Sequence, residues 1–117
     1  MTASMKKNDV GLAYVEFDDG SGGKRRPVLI VEDRGSYYAT FSITTKFSSK
    51  SKRIQSIYFE IHEWAASGLR RPSWIDVGHV VRLEKTIKIQ YIGKLQINDA
   101  QRFLKFLKEH YPNNIES

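Results

Sequence analysis

The sequence of 117 residues contains no cysteine and only three histidines. Without cysteine, disulfides, thiolate nucleophiles and cysteine-based metal sites are excluded, and a reducing compartment is consistent with this absence. No stretch approaches the length of a transmembrane helix. The N-terminal segment MTASMKKNDV has no apolar core behind its two lysines, so it is not a signal peptide. We therefore expect a cytoplasmic chain with no membrane partner.

Acidic residues are few compared with basic ones. Aspartate and glutamate total 13 against 19 lysines and arginines, which gives a net charge of +6 and a pI near 9.6. Such an excess favours an anionic partner, most often nucleic acid. The length allows one domain with a modest core, and no repeat or linker interrupts it. We expect a single domain over residues 1–117 with an ordered core at about 9–111.

Most of the chain consists of short segments with strand character. Residues 11–17 alternate, residues 26–33 form a continuous apolar run, and residues 36–44 are rich in aromatic and β-branched side chains. The remaining predicted strands are IYFEI, SWIDV, VVRLEK and KIQYIGKL. Between them, HEWAASGL predicts one helical turn closed by Gly68 in a left-handed cap, and His79 falls in a polar connection.

The only long predicted helix is C-terminal. Asn98 is a suitable N-cap with Gln101 at the reciprocal capping position, and Pro112 ends the helix. One apolar stripe contains Ala100, Phe103, Leu104, Leu107 and Tyr111. Phe106 widens this stripe and indicates a second contact surface. The predicted fold class is mainly β with a C-terminal helix, as a small curled sheet or barrel.

The segment GGKRRPVLIV places three cations between a glycine-rich turn and a buried strand. Pro27 biases Arg26 toward extended geometry, which stiffens the base of that side chain. The planar guanidinium of arginine can hold two phosphate oxygens. Residue type alone also allows the ordinary alternative, a cation at a strand end that contacts solvent or a neighbouring acid.

Four segments in order resemble the MazF/PemK/Kid family of type II toxin–antitoxin toxins: KRRPVLIV, ITTK, WAASGLRRPS and IGKL, the last followed by a closing helix. The resemblance covers nearly the whole chain, from about Val10 to Leu107. It implies a small SH3-like barrel of the MazF/Kid/CcdB type, a homodimer, and a cognate antitoxin as partner. It also implies an mRNA interferase, which is an endoribonuclease that cleaves single-stranded RNA without a metal or other cofactor.

The same resemblance implies the catalytic residues. Arg26 matches the family's catalytic arginine before proline, and Thr44 matches its catalytic threonine. Thr45 would face the opposite side of the strand, so the strand register decides between the two threonines. In the segment that matches RRPSWID the family often carries an acid or another polar residue, and the matched position here is Ser73. Ser73 can hold the phosphate, and Asp76 can act as the base or orient an arginine.

The remaining cations predict a surface that binds the RNA backbone. They are Lys24, Arg25, Lys46, Lys50, Lys52, Arg53, Arg70 and Arg71. Phe47 and Trp74 lie among them, and cations interleaved with aromatic rings can hold the backbone while a base stacks. The alternatives are that Trp74 belongs to the core and that the lysines keep a loop soluble. The general base stays open, because no histidine lies at a matching catalytic position.

Three functions from different classes remain open at the level of sequence. The first is the ribosome-independent, sequence-specific endoribonuclease toxin. The second is a toxin of the same fold that inhibits a protein target such as DNA gyrase, as CcdB relatives do. The third is a non-catalytic module that binds RNA and leaves it intact. Only the first requires a phosphate-binding pair such as Arg26 and Thr44.

Overall fold

The computed structural model describes residues 4–17 and 19–111. Six strands form one antiparallel sheet, and two helices accompany it. The strands are β1 (Asp9–Glu16), β2 (Gly23–Asp33), β3 (Tyr37–Thr44), β4 (Tyr58–Ile61), β5 (Ser73–Glu84) and β6 (Gln90–Lys94). The helices are α1 (Lys52–Gln55) and α2 (Ile97–His110). The expected mainly β architecture with a C-terminal helix is confirmed.

Strand β2 lies near the middle of the sheet, whose order is β4-β5-β3-β2-β1-β6. Val28 lies opposite Gly11 of β1 on one side and Ser42 of β3 on the other. Val28, Leu29 and Ile30 are all fully buried, so both faces of this strand are covered. A continuous apolar run rather than an alternating one is what such a position requires.

Helix α2 covers one face of the sheet through its aromatic side chains. Phe103 is buried, with its ring centroid 5.0 Å from that of Phe59 and 6.2 Å from that of Phe41. Phe106 also packs on Phe59, at 5.4 Å. The surface that Phe106 contacts is therefore strand β4 of the same chain. Leu104, expected in the buried stripe, is instead 42% exposed.

The start of α2 differs from the predicted capping box. The helix begins at Ile97, with Gln96 as the N-cap residue and no side-chain hydrogen bond at the cap. The Gln96 amide instead donates to the carbonyl oxygens of Ala66 and Lys94. Asn98 thus lies inside the helix, so its prediction as the N-cap is wrong. Pro112, the predicted stop, lies outside the described residues.

A buried carboxylate fastens the first turn of α2 to the end of β4. Asp99 is 1% exposed and accepts hydrogen bonds from the backbone N–H groups of His62 (3.2 Å) and Glu63 (2.8 Å). Arg102 donates to the same carboxylate at 2.7 Å. The turn that follows β4 closes as predicted at Gly68, whose φ of +92° lies in the left-handed region.

Strand β5 is longer than the sequence suggested. SWIDV and VVRLEK belong to one strand, Ser73–Glu84, so His79 lies within a strand and not in a polar connection. This strand pairs with β4 on one side and β3 on the other, and the β3 register shifts between Phe41 and Ile43. No helix in the described part of the chain is long and apolar enough to cross a membrane.

Candidate functional site

The face of the sheet away from α2 contains a groove of about 560 Å³, which we call the Arg26 groove. Its charged and polar lining residues are Glu16, Arg26, Ser42, Asp76, His79, Arg82 and Glu84. Its apolar and aromatic lining residues are Tyr14, Val15, Phe17, Val80, Val81, Leu83 and Ile87. The groove therefore combines fixed charges with apolar walls, where electrostatic interactions are stronger than in bulk water.

Arg26 lies in the groove because of its place in β2. It pairs with Ala13 of β1 and directly precedes Pro27, whose fixed φ favours extended backbone before it. Its Nε is buried and has no hydrogen-bond partner among the described residues. A buried donor without a partner costs about 1–3 kcal/mol, so this atom favours binding of an acceptor from outside the chain.

Thr44 lies at the end of β3, on the same side of the sheet as Arg26. Ser42 lies opposite Val28 on the antiparallel strand. Arg26 precedes Val28 by two residues, and Thr44 follows Ser42 by two residues. Side chains two residues apart on a strand lie on the same face of the sheet, so Arg26 and Thr44 lie on the same face as Val28 and Ser42. The Oγ1 of Thr44 accepts the Lys46 N–H at 3.1 Å, which leaves its hydroxyl hydrogen to donate.

Asp76 shares the Arg26 groove and has a backbone contact of its own. Its Oδ1 accepts the Gly78 N–H at 2.9 Å. On the neighbouring strand it lies opposite Tyr58. Burial, and secondarily the negative charge of Asp76, raise the pKa of Tyr58. The Asp76 carboxylate is therefore close enough to Tyr58 to affect its ionisation, and it also lines the Arg26 groove.

Ser73 lies apart from Asp76. It is 3% exposed, and its hydroxyl donates to the Arg71 carbonyl at 2.7 Å. It lines a second groove, of about 490 Å³, together with Thr45, Arg70 and Arg71. We call this second site the Arg70 groove. Pro27 also lines it, so the two grooves lie on opposite sides of β2.

Most of the predicted RNA-binding cations are exposed, and Arg70 and Arg71 line the Arg70 groove. Arg25 Nη2 donates to the Gln90 side chain at 3.1 Å, which holds that arginine beside β6. The other exposed cations are Lys24 on β2, Lys46 after β3, Lys52 and Arg53 in α1, and Arg70 and Arg71 before β5. Lys50 is half-buried in the loop between β3 and α1.

Phe47 and Trp74 stack on each other, with ring centroids 4.7 Å apart and an angle of 9° between the rings. Both side chains are half-buried. Trp74 lies opposite Thr44, so the stacked pair borders the same edge of the sheet. The Gln55 amide donates to the Phe47 carbonyl at 3.0 Å and fixes the loop that carries the lysines.

Sequence reasoning missed five charged or polar groove residues, namely Glu16, Ser42, His79, Arg82 and Glu84. Arg82 and Glu84 form an ion pair at 2.7 Å. His79 and both members of this pair lie on β5, whose bulge the sequence pattern did not indicate. The sequence contains one sign of this bulge, namely Gly78 directly before His79, since glycine is common at strand irregularities.

A sequence model of PemK-like, MazF-like toxins of type II toxin-antitoxin systems matches residues 7–111. This match spans most of the chain, so the chain belongs to the PemK/MazF toxin family. The resemblance noted from the four sequence segments is thereby confirmed.

Among solved structures, the Mycobacterium tuberculosis toxin MazF-mt6 is similar to this chain, with a TM-score of 0.63 and 17% sequence identity. The match covers 87% of this chain and 96% of that toxin. At this identity the likeness shows a shared MazF-type fold. No curated protein matches the sequence.

Proposed function

We propose that this toxin is an mRNA interferase, a ribosome-independent, sequence-specific endoribonuclease that cleaves single-stranded RNA in the cytoplasm. The observation that carries this proposal is the buried Nε of Arg26, which has no hydrogen-bond partner among the described residues. Membership of the toxin family and the net charge of +6 support the same conclusion. A phosphodiester has a negative charge and acceptor oxygens, so it can serve as the partner that the Arg26 guanidinium lacks.

The proposed reaction uses the 2′-OH of the RNA as nucleophile. The 2′-oxygen attacks the adjacent phosphorus, the bond to the 5′-oxygen breaks, and the products carry a 2′,3′-cyclic phosphate and a 5′-OH. Negative charge grows on the phosphate oxygens in the transition state. Arg26 stays protonated and contributes electrostatically, because its two-pronged donor geometry matches two of those oxygens. No resident metal or cofactor is required for these steps.

Thr44, Asp76 and Ser73 have separate proposed roles around Arg26. The hydroxyl of Thr44 donates to a phosphate oxygen, since its Oγ1 already accepts from Lys46. Asp76 orients Arg26 from the shared groove. The single O–H of Ser73 is donated to the Arg71 carbonyl, so Ser73 acts by positioning the Arg70–Arg71 segment.

The exposed cations hold the backbone of the RNA on either side of the scissile phosphate. Lys24 and Arg25 direct the strand toward Arg26, and the lysines of the β3–α1 loop contact it beyond Thr44. Arg70 and Arg71 bind phosphates in the Arg70 groove. Such contacts position the strand and carry little sequence information by themselves.

We further propose a homodimer and an antitoxin partner. Tyr14, Phe17 and Val80 line the Arg26 groove and are 48%, 42% and 58% exposed, so a second copy can bury them. An acidic antitoxin segment would then cover the basic surface beside the groove. The purified protein should elute at twice its mass of 13.5 kDa. A monomer at micromolar concentration would contradict the dimer.

The proposed activity is tested by incubating a long transcript with the pure protein in EDTA and mapping new 5′-OH ends. We expect discrete ends at one short sequence motif. A transcript with a single 2′-deoxy substitution at a mapped site should bind with similar affinity and remain intact there, because the nucleophile is missing. Cleavage at the deoxy site would refute the mechanism.

The two alternative functions give different results in the same assay. A toxin that acts on a protein such as DNA gyrase would leave the transcript intact and unbound. A non-catalytic RNA-binding module would shift the transcript in a gel and leave it intact. Either pattern, obtained with folded protein, would refute the endoribonuclease.

A further inference from the structure

Strand β5 departs from regular pairing beside Arg26. Phe41 lies opposite Val80, whereas Ile43, only two residues further along β3, lies opposite Ile75. Strand β5 therefore contains more residues than β3 between these two pairs, and residues 76–79 form a bulge. Bulges commonly redirect a side chain next to an active site, because they interrupt the alternation of a strand.

This bulge is held in place by contacts on several sides. The side chain of Val77 is fully buried, its N–H donates to the Ile57 carbonyl at 3.1 Å, and its carbonyl accepts the Tyr111 hydroxyl. The Oδ1 of Asp76 accepts the Gly78 N–H at 2.9 Å. Gly78 packs against the end of the Ile57 side chain, which a Cβ at this position would displace.

The residue that this fixed bulge presents to solvent is His79. It is exposed and lines the Arg26 groove with Arg26, Ser42 and Asp76. His79 and Arg26 thus line one groove from two different strands, β5 and β2.

The reaction proposed above still requires a group that takes the proton of the 2′-OH. Arginine stays protonated at any physiological pH, so Arg26 is unsuited to this role. Asp76 already accepts a backbone hydrogen bond that fixes the bulge. Imidazole exchanges a proton near neutral pH and is the commonest general base in enzymes.

We infer that His79 is the general base of this toxin, an inference that rests on the proposed endoribonuclease function. A ring nitrogen of neutral His79 takes the proton of the 2′-OH as the 2′-oxygen bonds to phosphorus. The bond from phosphorus to the 5′-oxygen breaks, and the 5′-oxygen takes a proton from water. The imidazolium then releases its proton to solvent, so no proton is consumed overall.

The test compares His79→Ala with His62→Ala in single-turnover cleavage of the mapped RNA. His62 is a matched control, because its side chain is 56% exposed and lies outside the residues lining the Arg26 groove. The hydrogen bond from the His62 backbone N–H to Asp99 does not involve the side chain, so it remains in His62→Ala. We expect His79→Ala to be slower by roughly 10²–10⁴-fold and His62→Ala to stay near the wild-type rate. His79→Gln, which keeps the side chain large and polar, should be as slow as His79→Ala.

Two further readouts separate catalysis from a structural role. Added imidazole should partly restore cleavage by His79→Ala, because the exposed position admits a small base. The dependence of the cleavage rate on pH should differ between the wild type and His79→Ala, because only the wild type carries the proposed base. The other ionisable groups lining the groove are Tyr14, Glu16, Arg26, Asp76, Arg82 and Glu84, and they remain in both variants.

The outcomes distinguish this inference from the function on which it rests. If the wild type cleaves and His79→Ala cleaves at the rate of His62→Ala, His79 is not the base while the endoribonuclease stands. A slow His79→Ala that imidazole does not restore and that keeps the wild-type pH profile likewise overturns the assignment. If the wild type leaves all RNA intact, the proposed function fails, and this inference fails with it.

Discussion

The two faces of the sheet differ in what covers them. On the face toward α2, Leu29, Phe41, Ile75 and Phe103 are at most 4% exposed and form the main core. On the other face a smaller cluster around Val28 and Leu83 is buried, while Val80 nearby is 58% exposed.

The covered face contributes most of the apolar burial, and stability scales with that burial. The open face keeps Arg26 in a groove, and its buried Nε has no hydrogen-bond partner among the described residues and is available for an anionic ligand. Substitutions on the first face should therefore change stability, and substitutions on the second should change activity.

The largest expected effect is on the covered face. Phe103→Ala removes a ring packed between Phe41 and Phe59 and should lower the free energy of unfolding by about 3–5 kcal/mol. Leu104→Ala is the matched control, since Leu104 is 42% exposed and should change the value little. Urea denaturation measures both. Equal losses for the two variants would contradict the separation of faces.

On the open face, Arg26→Ala should reduce the cleavage rate by roughly 10²–10³-fold, because one donor to the transition state is lost. Arg26→Lys should recover little of the cleavage rate, since the point charge of an ammonium cannot replace the two parallel donors of the planar guanidinium. Both variants should unfold at the wild-type urea concentration. Arg34→Ala, which removes only an exposed ion pair with Glu32, serves as the control in single-turnover assays. Near-normal cleavage by Arg26→Ala would exclude the proposed mechanism.

Asp99→Asn tests whether the contact between α2 and the end of β4 affects stability alone. The buried carboxylate accepts from two backbone N–H groups and from Arg102, and an amide replaces these charge-assisted bonds poorly. We expect a loss of about 1–3 kcal/mol in the free energy of unfolding and an unchanged cleavage rate below the melting temperature. Glu109→Gln, at an exposed position of α2, is the control. A large loss of cleavage in folded Asp99→Asn would show that the two faces are coupled.

The smallest expected effect concerns Lys50 in the loop after β3 and Lys52 at the start of α1. Lys50→Ala or Lys52→Ala should weaken binding of every RNA similarly. Each should also reduce the slope of log affinity against log salt by roughly 0.7, the value for one phosphate contact of a single strand. Lys105→Ala, on α2, should leave the slope unchanged. Fluorescence titrations at several salt concentrations measure this, and a slope that is identical in all variants would exclude the loop as a backbone contact.

Some features followed from local sequence alone. The run Val28–Ile30 predicted a strand buried on both faces, and the glycine at position 68 predicted a left-handed residue closing a turn, as the structure shows. Thr44 was predicted at a strand end and ends β3. The Arg26–Pro27 pair was predicted at a strand start but lies inside β2, which begins at Gly23. The confirmed features depend on the conformational preferences of neighbouring residues, which the sequence displays directly.

Other features depended on contacts between segments far apart in the chain. The bulge that places His79 in β5 beside Arg26 is set by Ile57 and Tyr111, which contact Val77 from elsewhere in the sequence. Ser73 and Asp76 are only three residues apart, yet they line different grooves.

The start of α2 likewise depends on contacts with other segments of the chain. The side chain of Gln96 is bonded to Ala66 and Lys94, so local capping preference at Asn98 did not decide where the helix begins. The sequence by itself thus determined which segments form strands and that a helix ends the fold, but not that two predicted strands join as β5 or where α2 begins. Only the tertiary structure decided which side chains share a groove, because strand register and bulges are chosen by the partner strand and the core.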